Sequence, residues 1–142
     1  MTLTQDRRAA LMGGCPLFRG LDDSGLGAIA EASIEVDFPA ERVIARQGEI
    51  GTGFFTIVEG MVRVTRDGTT VARLGPGEFF GELSLLDGGP RVAQVTAEEP
   101  TRCLALASWD FERVLREEPG VALSVLKVVA GRLREVTADH RT

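Results

Sequence analysis

The sequence is short of the residues that metal and thiol chemistry needs. Its single histidine, His140, sits in the C-terminal tail, so a histidine-ligated metal enzyme has no ligand set to draw on. Cys15 and Cys103 are isolated and lack metal-ligand spacing; both read as reduced, at least partly buried thiols. Cations are in deficit, with 16 Lys and Arg against 21 Asp and Glu and a formal net charge of -5. Binding to a nucleic-acid backbone needs clustered Lys and Arg, and this chain lacks the excess. No apolar run approaches the ~20 residues of a membrane span. Nor is there a charged-then-apolar leader with a cleavage site. A cytoplasmic protein with no membrane or nucleic-acid contact is therefore expected. The sequence has no Gly-x-Ser-x-Gly elbow, no Walker loop and no Cys–His pair outside the tail. No catalytic residues, metal or cofactor are expected, and the chain reads as a non-enzyme.

What is present suits one globular domain spanning residues 1–142, with 44% hydrophobic and 26% charged residues. Residues 4–33 read as helices interrupted by Gly13, Gly14 and Pro16, with Asp22 or Asp23 capping a second helix that carries Leu26, Ile29 and Ala30. From 34 to 107 the pattern shifts to short β-branched segments divided by turn residues: 34–38, 43–45, 54–58, 62–64, 71–74, 92–97 and 101–107. Asp67-Gly68 marks a hairpin turn. Ser108 then reads as the N-cap of a helix with Trp109, Phe111, Val114 and Leu115, and a longer helix follows over about 121–138. In that last helix Ala122, Leu126, Val129, Leu133 and Val136 recur at steps of four and three, forming a narrow seam flanked by Val121, Val125 and Val128. The seam suits packing on the chain's own strands and docking of a partner equally well. The fold expected is mainly β with flanking helices: an eight-stranded antiparallel β-roll, jelly-roll-like, with N-terminal helices and two C-terminal helices.

The chemistry concentrates in Phe79-Phe80-Gly81-Glu82-Leu83-Ser84-Leu85-Leu86-Asp87-Gly88-Gly89-Pro90-Arg91-Val92-Ala93-Gln94-Val95. Residues 82–86 suit a short helical turn, whose first backbone N–H groups are unpaired and favour an anion. Gly81 permits close approach of a ligand. Arg91, placed by Pro90, offers a permanent cation with a fork of donors for phosphate oxygens. Glu82 supplies two acceptor oxygens for a sugar hydroxyl. The plain alternative is a Glu82–Arg91 salt bridge across a surface loop. Asp87 beside Gly88-Gly89 reads as turn chemistry rather than as half of an acid pair.

The order Gly-Glu-Leu followed by Pro-Arg-x-Ala resembles the phosphate-binding cassette of the cyclic-nucleotide-binding domain family. That module occurs in catabolite activator protein and in the regulatory subunits of cyclic-AMP-dependent protein kinase. Gln47-Gly48-Glu49, residues 54–60 and residues 75–79 also resemble that family's β-roll, and the likeness runs from about Leu17 to Val136. The resemblance implies that Glu82, with Gly81 close by, takes the ribose 2′-hydroxyl and that Arg91 takes the exocyclic phosphate oxygens. It further implies that backbone N–H groups of Ser84 and of Val92 or Ala93 complete the phosphate site. Val64, Val71 and Ala72 would line the pocket with Leu83, and Arg132 and Thr137 would reach the ligand from the long helix.

The residue after the cassette arginine is Val92, where members that prefer cyclic GMP often carry a threonine that helps hold guanine, so of the two ligands, cyclic AMP and cyclic GMP, cyclic AMP is expected to bind at least as well. Gln94 departs from the small residue often found there, and the long helix has no aromatic residue to cover the base. The chain ends a few residues past that helix, so no DNA-binding domain is expected. Two functions result. One is a cyclic-nucleotide sensor that signals through movement of its C-terminal helix, to a protein partner or a second copy. The other is a β-roll interaction or dimerisation module that has lost the nucleotide.

Overall fold

The computed structural model describes residues 2–138. Helix α1 (Gln5–Gly13) is capped by Thr4, whose hydroxyl accepts from the Arg7 N–H, and ends where Gly13, Gly14 and Pro16 interrupt it. A short 3-10 turn, Pro16–Phe18, leads to α2 (Asp23–Ala32). Of the two candidate caps, Asp22 is the one used: its carboxylate accepts from the Gly25 N–H at 2.8 Å.

The chain then forms β1 (Ile34–Phe38), β2 (Val43–Ala45), β3 (Gly53–Glu59), β4 (Val62–Arg66), β5 (Thr69–Leu74), β6 (Phe79–Phe80), α3 (Glu82–Asp87), β7 (Gln94–Ala97) and β8 (Thr101–Ala107). The eight strands make two antiparallel four-stranded sheets, ordered β1-β8-β3-β6 and β2-β7-β4-β5. This is the antiparallel β-roll with flanking helices that the sequence predicts. The two-residue β6 is one strand the pattern did not mark, because Phe79-Phe80 is too short to show an alternation. It pairs with Phe55 and Thr56 of β3.

Strand alternation divides the interior. Phe54 and Thr56 of β3 point toward the helices, and Phe55 and Ile57 point into the roll. The helical side buries Phe18, Phe54 and Phe111, with Phe18 and Phe54 edge to face at 5.8 Å between ring centres. Inside the roll Ile57, Val62, Phe80, Val95 and Cys103 pack together, and Phe55 stacks on Phe80 at 5.1 Å. Leu85 on the inner side of α3 joins the helical core and fixes that short helix to the body.

β8 runs without a loop into α4 (Ser108–Glu117). Ser108 is the first helical residue rather than the cap: Ala107 holds the extended cap position, and no side chain caps this helix. Helix α5 (Pro119–Ala138) starts two residues earlier than expected. Proline suits the first turn of a helix, because it has no N–H to leave unpaired there. The valines beside the seam, not the seam itself, face the core: Val121 and Val125 are buried, whereas Leu126, Leu133 and Val136 are exposed. Only Val129 of the seam packs against the helical core.

Candidate functional site

A cleft of about 260 Å³ opens between the second sheet and the segment carrying α3. Gly81, Glu82, Leu83, Ser84, Arg91, Val92, Ala93, Val64 and Ala72, nine of the residues singled out from sequence, line it together. Gly81 precedes α3 with φ of 91°, a left-handed conformation that glycine adopts without strain. Its carbonyl accepts the Leu85 N–H, which starts the helix and turns Glu82 and Leu83 toward the opening. Asp87 performs the turn role predicted for it: its carboxylate accepts the Gly89 N–H at 2.7 Å, just past the helix.

Arg91 is half-buried. Its backbone is bonded in both directions to the turn at 47–49: the Arg91 N–H donates to the Glu49 carbonyl at 2.7 Å, and the Arg91 carbonyl accepts from the Gly48 N–H at 2.9 Å. Glycines crowd its guanidinium. Nη2 donates to the Gly53 carbonyl at 2.8 Å, a side chain on Gly81 would collide with Nη1, and one on Gly51 would lie 2.7 Å from Nε. Nη1 is buried without a hydrogen-bond partner. Burial lowers the pKa of this group from the ordinary guanidinium value, and the nearby Glu82 charge offsets only part of that. Among the described residues no ion pair joins Glu82 to Arg91. The simple surface salt bridge is therefore not what the chain forms. A cation sits in the cleft with donor capacity left over, and a carboxylate lies on the same wall.

Seven further residues line the cleft, for which the sequence predicts no ligand contact: Ala45, Arg66, Leu74, Phe79, Phe80, Pro90 and Val95. Most are apolar wall supplied by strand register. Arg66 is different, being charged; its Nε donates to the Val92 carbonyl at 3.3 Å. Two guanidiniums and one carboxylate thus face the opening, a balance suited to a ligand with a single negative charge.

Val71 and Arg132 lie outside the lining. The register pairs Thr65 with Thr70 and Val64 with Ala72, so Val71 is the extra residue of a β-bulge and is exposed. Arg132, on α5, is half-buried; its charge and that of Glu82 both act, in opposite directions, on the buried Cys15 thiol, which burial pushes up to about 11. Thr137 is exposed near the end of α5. Among the described residues no group of three potential metal ligands exists, and no helix is long and apolar enough to cross a membrane.

The chain is 38% identical over 133 residues to the cyclic AMP receptor protein of Thermus thermophilus, covering 90% of this chain and 62% of that one. It is 37% identical over 126 residues to a cyclic nucleotide-gated potassium channel of Rhizobium etli (89% and 35% covered). It is 36% identical over 106 residues to the cAMP-dependent protein kinase regulatory subunit of Dictyostelium discoideum (69% and 32%). The chain thus spans only about a third to three fifths of these curated relatives. Among solved structures, the N-terminal domain of a transcriptional regulator from Streptomyces coelicolor A3(2) is similar with a TM-score of 0.84 and 33% identity, over 93% of this chain and 96% of that one. The model of the cyclic nucleotide-binding domain matches residues 35–118, more than half of the sequence, and the chain belongs to that family.

Proposed function

We propose that the cleft binds a cyclic nucleotide monophosphate, cyclic AMP in preference to cyclic GMP, and that the chain acts as a regulatory sensor with no chemistry of its own. The observation that carries this reading is Arg91: a half-buried cation with an unpartnered buried nitrogen, lining the same cleft as an unpaired carboxylate. An unsatisfied buried donor is costly unless a ligand or water answers it. The exocyclic phosphate oxygens fill that role, helped by the N–H groups of Ser84 and of Val92 or Ala93. Glu82 takes the ribose 2′-hydroxyl, and Gly81 leaves room for it. The base lies along Val64, Ala72 and Leu74. Val92 has no hydroxyl for guanine, and losing one such bond is worth on the order of 1 kcal/mol, up to about a tenfold preference.

Signalling passes to α5, the partner of this reading being a protein or a second copy of the chain. Leu126, Leu133 and Val136 are exposed and available either to cover the base or to meet that partner. A switch of this kind requires the ligand to bind the two helix positions with different affinity.

Titration calorimetry tests the site: cyclic AMP is expected to bind in the micromolar range, with Arg91→Ala weakening it at least about tenfold. Equal affinity in the variant removes the phosphate assignment. A thermal-shift measurement separates the sensor from an interaction module that has lost its ligand. No rise in melting temperature with millimolar cyclic AMP or cyclic GMP favours the latter.

A further inference from the structure

The turn at Gln47-Gly48-Glu49 does more than reverse the chain. Its backbone holds the peptide of Arg91 through both an N–H and a carbonyl, at 2.9 and 2.7 Å. Its first side chain reaches in another direction. Gln47 Nε2 donates to Asp67 Oδ1 at 2.9 Å, and Gln47 Oε1 accepts the Asp67 backbone N–H at 2.9 Å. Asp67 is the tip of the β4–β5 hairpin, held at φ of 52° in a left-handed conformation that Asp and Asn tolerate better than most residues. One residue earlier, Arg66 ties the same hairpin to the Val92 carbonyl, next to Arg91. The hairpin carries Val64, Ala72 and Leu74, apolar residues that line the same cleft as the arginine.

From this connectivity we infer that Gln47 is a positioning residue for the ligand site. Its amide locks the tip of the β4–β5 hairpin to the turn that fixes Arg91, and so sets the spacing between the apolar wall and the phosphate-binding cation. Residues 20 positions apart in sequence are joined by two hydrogen bonds of 2.9 Å in one clamp. The clamp is solvent-exposed and adds little to global stability, because water competes for both bonds. Its effect falls instead on geometry: without it the hairpin can splay from the cassette, and a ligand touching both sides loses one of them. Coupling is reciprocal, so a ligand that grips both walls must also tighten the clamp. This inference rests on the proposed cyclic-nucleotide site.

The test compares cyclic AMP binding by calorimetry, ligand-free melting temperature, and hydrogen exchange at the Asp67 amide. Gln47→Ala is expected to weaken binding about threefold to tenfold with little change in melting temperature. Gln47→Glu alone sets two carboxylates against each other and is expected to weaken binding by a similar factor. Combined with Asp67→Asn, the same change rebuilds both hydrogen bonds with the amide and carboxylate exchanged, and affinity is expected to return to within about twofold of the parent. Saturating cyclic AMP is expected to slow exchange of the Asp67 amide in the parent and not in Gln47→Ala. If Gln47→Ala binds as the parent does while Arg91→Ala loses its tenfold, the clamp is overturned and the site reading survives. A double variant no better than Gln47→Glu also overturns the clamp, as does an Asp67 amide indifferent to ligand. If the parent itself binds no cyclic nucleotide, the site reading fails and takes the clamp with it.

Discussion

Two neighbouring residues of β3 serve opposite ends. Phe54 is fully buried and packs on Phe18 at one side of the strand, inside a predominantly apolar core. Gly53, one residue earlier, has no side chain, and its carbonyl accepts from Arg91. Around Phe54 the chain fills space; around Arg91 it withholds side chains at positions 51 and 81 to leave room for a guanidinium. Dense packing stabilises the first region. The second gives up packing and keeps a cation desolvated with a donor spare, an arrangement that folding alone does not reward.

Four substitutions sharpen that contrast, in descending order of expected effect. Phe54→Ala removes a ring from the packed side and is expected to cost about 3–5 kcal/mol of stability in urea unfolding. A loss below about 1 kcal/mol would mean the core is looser than its burial implies. Gly81→Ala meets both a left-handed backbone and the Arg91 guanidinium. It is expected to cost about 1–3 kcal/mol and to weaken cyclic AMP binding, read by denaturation and calorimetry on the same preparation. Arg91→Ala reverses the pattern, with binding at least about tenfold weaker and a ligand-free melting temperature unchanged or slightly raised, because a partly desolvated charge is removed. A marked drop in that temperature would make Arg91 a structural residue. Leu133→Ala, on the exposed side of α5, is expected to stay within about 0.5 kcal/mol of the parent in a monomeric sample. A larger loss that depends on protein concentration would place a partner copy over the seam.

The sequence carried most of this architecture where the physics is local. Turn residues and alternation located the long strands, and Gly81, Glu82, Pro90 and Arg91 announced a cation and a carboxylate in one stretch. Features set by pairing between distant segments were hidden. The family resemblance put Val71 in the wall beside Ala72, but a bulge in the β4–β5 register carries Val71 out of the cleft. Arg66 and Leu74 reach the cleft through strand pairing alone, and nothing in their immediate neighbours signals it. Gln47 showed as a turn residue, but its bonds to Asp67 span the sheet. The seam on α5 was visible as a period without a direction. Which of two adjacent apolar stripes is buried depends on the angle at which the helix meets the core, and here Val121 and Val125 are the buried pair.

The bulge at Val71 has a further consequence, for solubility. Strand β5 is an outer strand of its sheet, six residues long and largely exposed, with backbone groups on its free side that another extended chain could copy. The extra residue interrupts the even spacing a recruited strand would need, and the charged Arg73 follows it two positions on. Removing the irregularity, by deleting Val71, is expected to leave an unguarded rim and a protein more prone to assemble into fibres.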